Sequence, residues 1–157
     1  MKVESYYVGI DPSLTGTGVV ILDKDGEIYK ELLISTYPDN YICSEQRLLD
    51  IVNEIKFIKD ISLRYAAIEG ISFNSKSTSF NERCGLFFMI TSLLFDNDIP
   101  FKIVPPKTLK KWAVGNGNAD KKMMMNGSKK RWGLEFKDDN ICDAYNLAQL
   151  VRCEFTV

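Results

Sequence analysis

The opening stretch, as far as Gly26, does most to restrict what this chain can become. Ser5–Ile10 has the composition of a β-strand and ends at Asp11. Asp11-Pro-Ser-Leu-Thr-Gly-Thr-Gly18 turns the chain, and Thr17–Leu22 is again strand-like and rich in Val and Ile. Asp23-Lys-Asp-Gly26 is a strong hairpin signal, since Gly tolerates positive φ there. A third strand is expected over about Glu27–Ser35, making an antiparallel meander at the N-terminus.

Helical and strand periods then alternate. Leu48, Ile51, Val52, Ile55 and Ile58 recur at helical spacing after Ser44, which can cap that helix. Tyr65–Glu69 is a short apolar strand ending in an acid. Phe80–Phe95 is helical and Phe101–Val104 is a fifth strand, stopped by Pro105 and Pro106. Thr108–Val114 predicts a brief helix, and Asp120 to about Trp132 a basic one that Gly127 weakens. A last helix starts at Asp138 or Asp139 and runs through Ile141, Ala144, Leu147, Ala148 and Val151. The order implies an α/β domain, residues 1–157, with helices covering both faces of a mixed sheet.

Charge narrows the chemistry by its distribution. The net charge is -1, yet Lys102 to Lys137 holds ten Lys or Arg against two acids, a local +8. Such asymmetry can orient a molecule toward a polyanion. There is no histidine, which excludes an imidazole base and every zinc set that needs one. Cys43, Cys84, Cys142 and Cys153 show no C-x-x-C spacing, and Cys84 and Cys142 fit core thiols in a reducing compartment. No stretch resembles a secretory leader or is long and apolar enough to cross a membrane, so the expected setting is cytoplasmic.

Four acids stand out by position. Asp11 and Glu69 close strands, and Asp139 and Asp143 lie four apart on one face of the last helix. An acid at a strand end is ordinarily a turn residue, and Asp138 or Asp139 can simply cap its helix. Asp143 is different. It falls between Ile141 and Ala144 on an apolar helix, where a carboxylate needs a partner or a metal. If the first and central strands are neighbours, all four gather, and a divalent cation offsets their repulsion. Oxygen ligands without imidazole favour magnesium or manganese, and two ions about 4 Å apart can activate water and stabilise the leaving 3′ oxygen of a phosphodiester.

Taken in order, Gly9-Ile-Asp11-Pro-Ser-Leu-Thr-Gly16-Thr-Gly18, Ala66-Ala-Ile-Glu69, Val104-Pro-Pro-Lys107, Lys110-Lys-Trp-Ala-Val-Gly115-Asn-Gly117-Asn-Ala-Asp-Lys121 and Cys142-Asp143-Ala144 make the chain resemble the RuvC family of Holliday junction resolvases, especially its phage members. The resemblance implies a ribonuclease H-like fold, a homodimer, magnesium or manganese as cofactor, and symmetric cutting of four-way DNA junctions in the cytoplasm of an infected bacterial host. Other branched DNA is also an expected substrate. By the same resemblance Asp11, Glu69 and Asp143 are catalytic metal ligands. The fourth position is open: the spacing of cellular members lands on Asn140, while Asp139, the preferred residue, is one earlier.

Lys107, Lys110, Lys111, Lys121 and Lys122 are expected to hold backbone phosphates, with Lys107 and Lys121 matching basic family positions. Lys129, Lys130 and Arg131 extend this track or are an ordinary solvated face. Phe73, in the Ser-rich loop after Glu69, is the candidate wedge that unstacks bases at the branch. The Phe80–Phe95 helix is apolar almost all round, as a dimer helix would be, with Met89 and Phe95 as candidate contacts. Two alternatives remain: a junction-binding protein with weak or absent cleavage, and an RNA-processing nuclease of similar fold.

Overall fold

The computed structural model describes residues 4–72 and 78–156. Five strands form one sheet: β1 (Tyr6–Asp11), β2 (Thr17–Leu22), β3 (Ile28–Ile34), β4 (Leu63–Glu69) and β5 (Phe101–Val104). Their spatial order is β3-β2-β1-β4-β5. The meander is antiparallel, and β4 and β5 are added in parallel to β1. The first hairpin closes as its turn residues demand. Gly26 has φ 91° and donates its N–H to the Asp23 carbonyl at 3.1 Å. The Asp23 carboxylate accepts from the amides of Asp25 and Glu27.

Five helices, α1 (Ser44–Ile55), α2 (Phe80–Asp96), α3 (Pro106–Val114), α4 (Lys121–Trp132) and α5 (Asp139–Phe155), cover the two faces. Strand alternation decides which residue meets which layer. Val8, Ile10, Val19, Ile21, Ala66 and Ile68 pack with Ile51, Ile55, Leu86, Ile90 and Leu94 of α1 and α2. Tyr7 and Ala67 face the other way, onto Leu109, Met124, Leu147 and Val151, and Val20 and Leu22 meet Ala144, Tyr145 and Ala148 of α5. Among the described residues no helix is long and apolar enough to cross a membrane.

Glycines set how closely α5 lies on the sheet. A Cβ on Gly9 would stand 1.9 Å from the Ala144 carbonyl oxygen, and one on Gly18 2.3 Å from that of Asn140. Neither obstacle is a side chain that can rotate away. Gly127 plays the same part between helices, since a Cβ there would meet Val114 Cγ1 at 2.1 Å. Its cost in helix propensity is therefore offset by the close contact of α3 with α4. Asn146 then ties α4 to α5: its amide donates to Ser128 Oγ and the Cys142 carbonyl, and Trp132 Nε1 donates to its oxygen.

Several local readings change. Ser44 is the first residue of α1 rather than its cap. The cap position is Cys43, without a side-chain bond, and the Ser44 hydroxyl meets Glu82 on α2. Ile58 lies in the separate 3-10 turn Lys56–Asp60. Pro106 both ends the strand segment and opens α3, where its missing N–H costs nothing. Arg47 is buried, at 5% exposure, and donates to the carbonyls of Leu14 and Thr36 and to Thr36 Oγ1. It thereby braces the turn that follows Asp11.

Replacing Gly9 by Val should cost about 3 kcal/mol, because backbone must move to admit the side chain. For a chain of this size that lowers the thermal midpoint by roughly 6–12 °C. An unchanged midpoint in a melting experiment would contradict the close approach of α5.

Candidate active site

The sheet register and α5 together build the site. Gly9 pairs with Ala67 in parallel, and two residues further along the same face come Asp11 and Glu69. Asp11 also lies opposite Gly18, the residue whose missing Cβ admits the first turn of α5. Asp138 caps that helix, accepting from the amides of Asn140 and Ile141 at 2.8 and 3.1 Å. Capping by Asp138 leaves Asp139 free for other work.

The two candidates for the fourth position point to different neighbours. Asp139 Oδ2 accepts an ion pair from Lys121 Nζ at 2.7 Å. The Asn140 side chain instead lies against the turn at Gly16, where a Cβ would come 2.8 Å from its Nδ2.

Burial and mutual repulsion dominate the electrostatics. Asp11 is only 7% exposed. Its carboxyl is held well above the ordinary range, first by burial and then by the charges of Glu69, Asp143 and Asp139. Glu69 is pushed up to about 7 by burial and Asp143, against the opposing pull of Lys110. Asp143 is raised to about 6 by burial and Asp139, opposed by Lys110 and Lys121. Asp143 Oδ1 is buried and accepts no hydrogen bond among the described residues.

An orphaned carboxylate oxygen beside the buried Asp11 and the half-buried Glu69 suits a hard divalent cation, which takes oxygen ligands and neutralises the cluster. As the side chains stand, no group of three among the described residues is gathered tightly enough to ligate an ion. The acids feel one another's charge but have not closed into a shell, and Asp139 is paired with Lys121.

The lysines divide into distinct groups. Lys110 is half-buried, and its charge reaches both Glu69 and Asp143, a placement that its spacing alone does not single out. Lys107 and Lys111 line an open groove with Thr108, Trp112, Gly117 and Asn118. Lys122 is exposed on the first turn of α4. Lys129 pairs with Glu135 at 3.1 Å. Arg131 stacks over Trp112 and Trp132 while donating to the Trp112 carbonyl, so packing occupies it. Phe73 lies outside the described residues.

A mixed sheet in this order, layered with helices and carrying its acids on β1, β4 and the final helix, defines the ribonuclease H-like class of folds. A structure of Thermus thermophilus RuvC superposes with a TM-score of 0.72 at 19% identity, covering 91% of this chain and 90% of that one. The same organism's RuvC in complex with a Holliday junction substrate gives 0.75 at 17% identity, over 95% and 96%. In sequence, the crossover junction endodeoxyribonuclease RuvC of Brachyspira hyodysenteriae is 29% identical over 145 residues, 90% of this chain and 89% of the relative. The family model for crossover junction endodeoxyribonuclease RuvC matches residues 7–149. The chain belongs to the RuvC family of crossover junction endodeoxyribonucleases.

The raised carboxyls have a measurable consequence with an unusual sign. The folded state retains protons that the unfolded chain has already released, so this stability is complete below the ordinary carboxylate range. It is lost as pH rises through about 6 for Asp143 and about 7 for Glu69. In chelator, the thermal midpoint should fall between about pH 5 and pH 8, and Glu69→Gln should remove part of that fall. A midpoint that rises over this range, or an unaltered Glu69→Gln profile, would contradict the burial of these acids.

Proposed function

We propose that this chain is a magnesium- or manganese-dependent endonuclease that resolves four-way DNA junctions as a homodimer, each subunit a single RuvC-like domain with Asp11, Glu69, Asp139 and Asp143 as its metal ligands. The observation that carries the reading is the buried cluster itself. Three carboxyls sit above their ordinary range and one, Asp143, leaves an oxygen without a partner. The complex of Thermus thermophilus RuvC with a Holliday junction supports the choice of substrate.

Bound divalent cations supply an activated water and charge neutralisation at the leaving oxygen. The chain's own residues do the rest. Asp11 and Glu69, at the ends of paired strands, form a rigid floor, and Asp143 closes it from α5. Lys110 sits close enough to act on Glu69 and Asp143 and is the residue best placed to hold the phosphate being cut. Lys107, Lys111 and Lys122 hold neighbouring phosphates as flexible point charges without reading bases. Asp139 is favoured over Asn140 as fourth ligand because its charge acts directly on Asp11 and Asp143.

For the dimer, α2 presents Phe88 and Phe95 to solvent at 63% and 75% exposure. They are seven residues apart and therefore on one stripe. Met89, by contrast, packs against the core. Phe88 thus replaces Met89 beside Phe95 as an expected contact between subunits.

Asp11→Asn and Glu69→Gln should each reduce cutting of a labelled four-way junction more than about 100-fold while junction affinity is retained. Product analysis on denaturing gels, with magnesium or manganese and with chelator, reads the outcome. Undiminished cutting by either variant, or equal cutting in chelator, would refute the assignment. Phe88→Glu combined with Phe95→Glu should convert the dimer to monomer in light scattering after size exclusion, and a dimer that persists would place the interface elsewhere.

A further inference from the structure

We propose that Lys121 is a substrate-released latch on Asp139: it holds this carboxylate in the DNA-free enzyme and exchanges it for a DNA phosphate, so that junction binding and cation loading promote one another. The inference rests on the metal-site reading above and adds to it a positioning residue and a coupling between the two ligands. Among the described residues Asp139 is the one carboxylate of the four with an ion-pair partner, Lys121 Nζ at 2.7 Å. The pair sits at the mouth of the cluster. Its lysine side chain is 80% exposed and its aspartate 30% exposed, whereas Asp11 lies deep at 7%.

The backbone beneath the lysine is fixed. Lys121 is the first residue of α4, and the Asp120 carboxylate caps that helix by accepting from the Met123 amide at 2.8 Å. Gly127 against Val114 and Asn146 against Ser128 and Trp132 lock α4 to its neighbours. Exchange therefore needs only rotation of a flexible four-carbon stem, with no movement of the fold. An ion pair this exposed is weak, so both a phosphate and a divalent cation can displace it. While the pair stands, the Asp139 carboxylate is committed to Lys121 on α4 and is not available to a cation. A phosphate that takes the lysine returns Asp139 to the cluster. Linkage then requires that each ligand tighten the other by the same factor.

The test is manganese binding, read by electron paramagnetic resonance of the free ion, on the whole protein. It is made with and without a four-way junction whose branch-point linkages resist hydrolysis. Without DNA, Lys121→Gln should bind manganese about two- to fivefold more tightly than the parent, the scale set by an exposed pair. The junction should tighten manganese binding to the parent but much less to Lys121→Gln, and Lys121→Arg, which can still pair, should behave as the parent does. Equal manganese affinity in parent and Lys121→Gln, with the same tightening by junction in both, would overturn the latch while leaving the metal site standing. A parent that binds no manganese, or binds it undiminished after Asp11→Asn, would overturn both.

Discussion

The backbone of α5 lies directly on β1 and β2, with no side chain between them at Gly9 and Gly18. That contact is the constraint on which the rest depends. It drives an almost wholly buried helix, from Ile141 to Val151, into the centre of the molecule. The apolar surface removed from water there offsets the cost of placing Asp143 in the same helix and Asp11 beneath it. Were α5 held further away by even a methyl group, the acids would be solvated separately. Their proximity would then be lost, together with the raised proton affinity that follows from it.

The consequence is a molecule that holds its acids where charge is costly. The buried Asp11 and the half-buried Glu69 and Asp143 resist ionisation, and a side-chain oxygen of Asp143 is left unsatisfied. Such features are costly in a fold and are commonly tolerated where function requires them. The lysines that answer them come from other helices, α3 and α4, which pack beside α5 on the same side of the sheet and are joined to it through Asn146 and to one another through Gly127. The acids thus belong to the sheet and α5, and the lysines to α3 and α4. A net charge of -1 conceals this separation entirely.

Much of this architecture is legible in the amino-acid sequence, for identifiable reasons. The strands are readable because their apolar runs are short and bounded by turn chemistry: Thr17–Leu22 and Phe101–Val104 have the expected limits. That Asp11, Glu69 and Asp143 come near enough to feel one another's charge accords with strand ends and helical spacing, given that β1 and β4 are neighbours. Helix starts are harder, because side chains can find distant partners in place of local ones. Ser44 turns to Glu82 across to α2, and Asp138 rather than Asp139 takes the cap. Arg47 carries no sequence signal as a brace, since its partners are carbonyls of Leu14 and Thr36 far along the chain. That Lys110, among several neighbouring lysines, reaches the acids, and that Phe88 rather than Met89 is exposed, depends on which way each helix faces, which spacing within one helix does not specify.

The central claim is that the crevice between the ends of β1 and β4 and the start of α5 is a cation site. Anomalous diffraction from crystals soaked in manganese tests it most directly. The expected result is strong anomalous density bounded by the carboxylates of Asp11, Glu69 and Asp143, lost when Asp143 is replaced by Asn. Manganese bound in ordered crystals only at other acidic positions, with that crevice lacking an anomalous peak, would contradict the account.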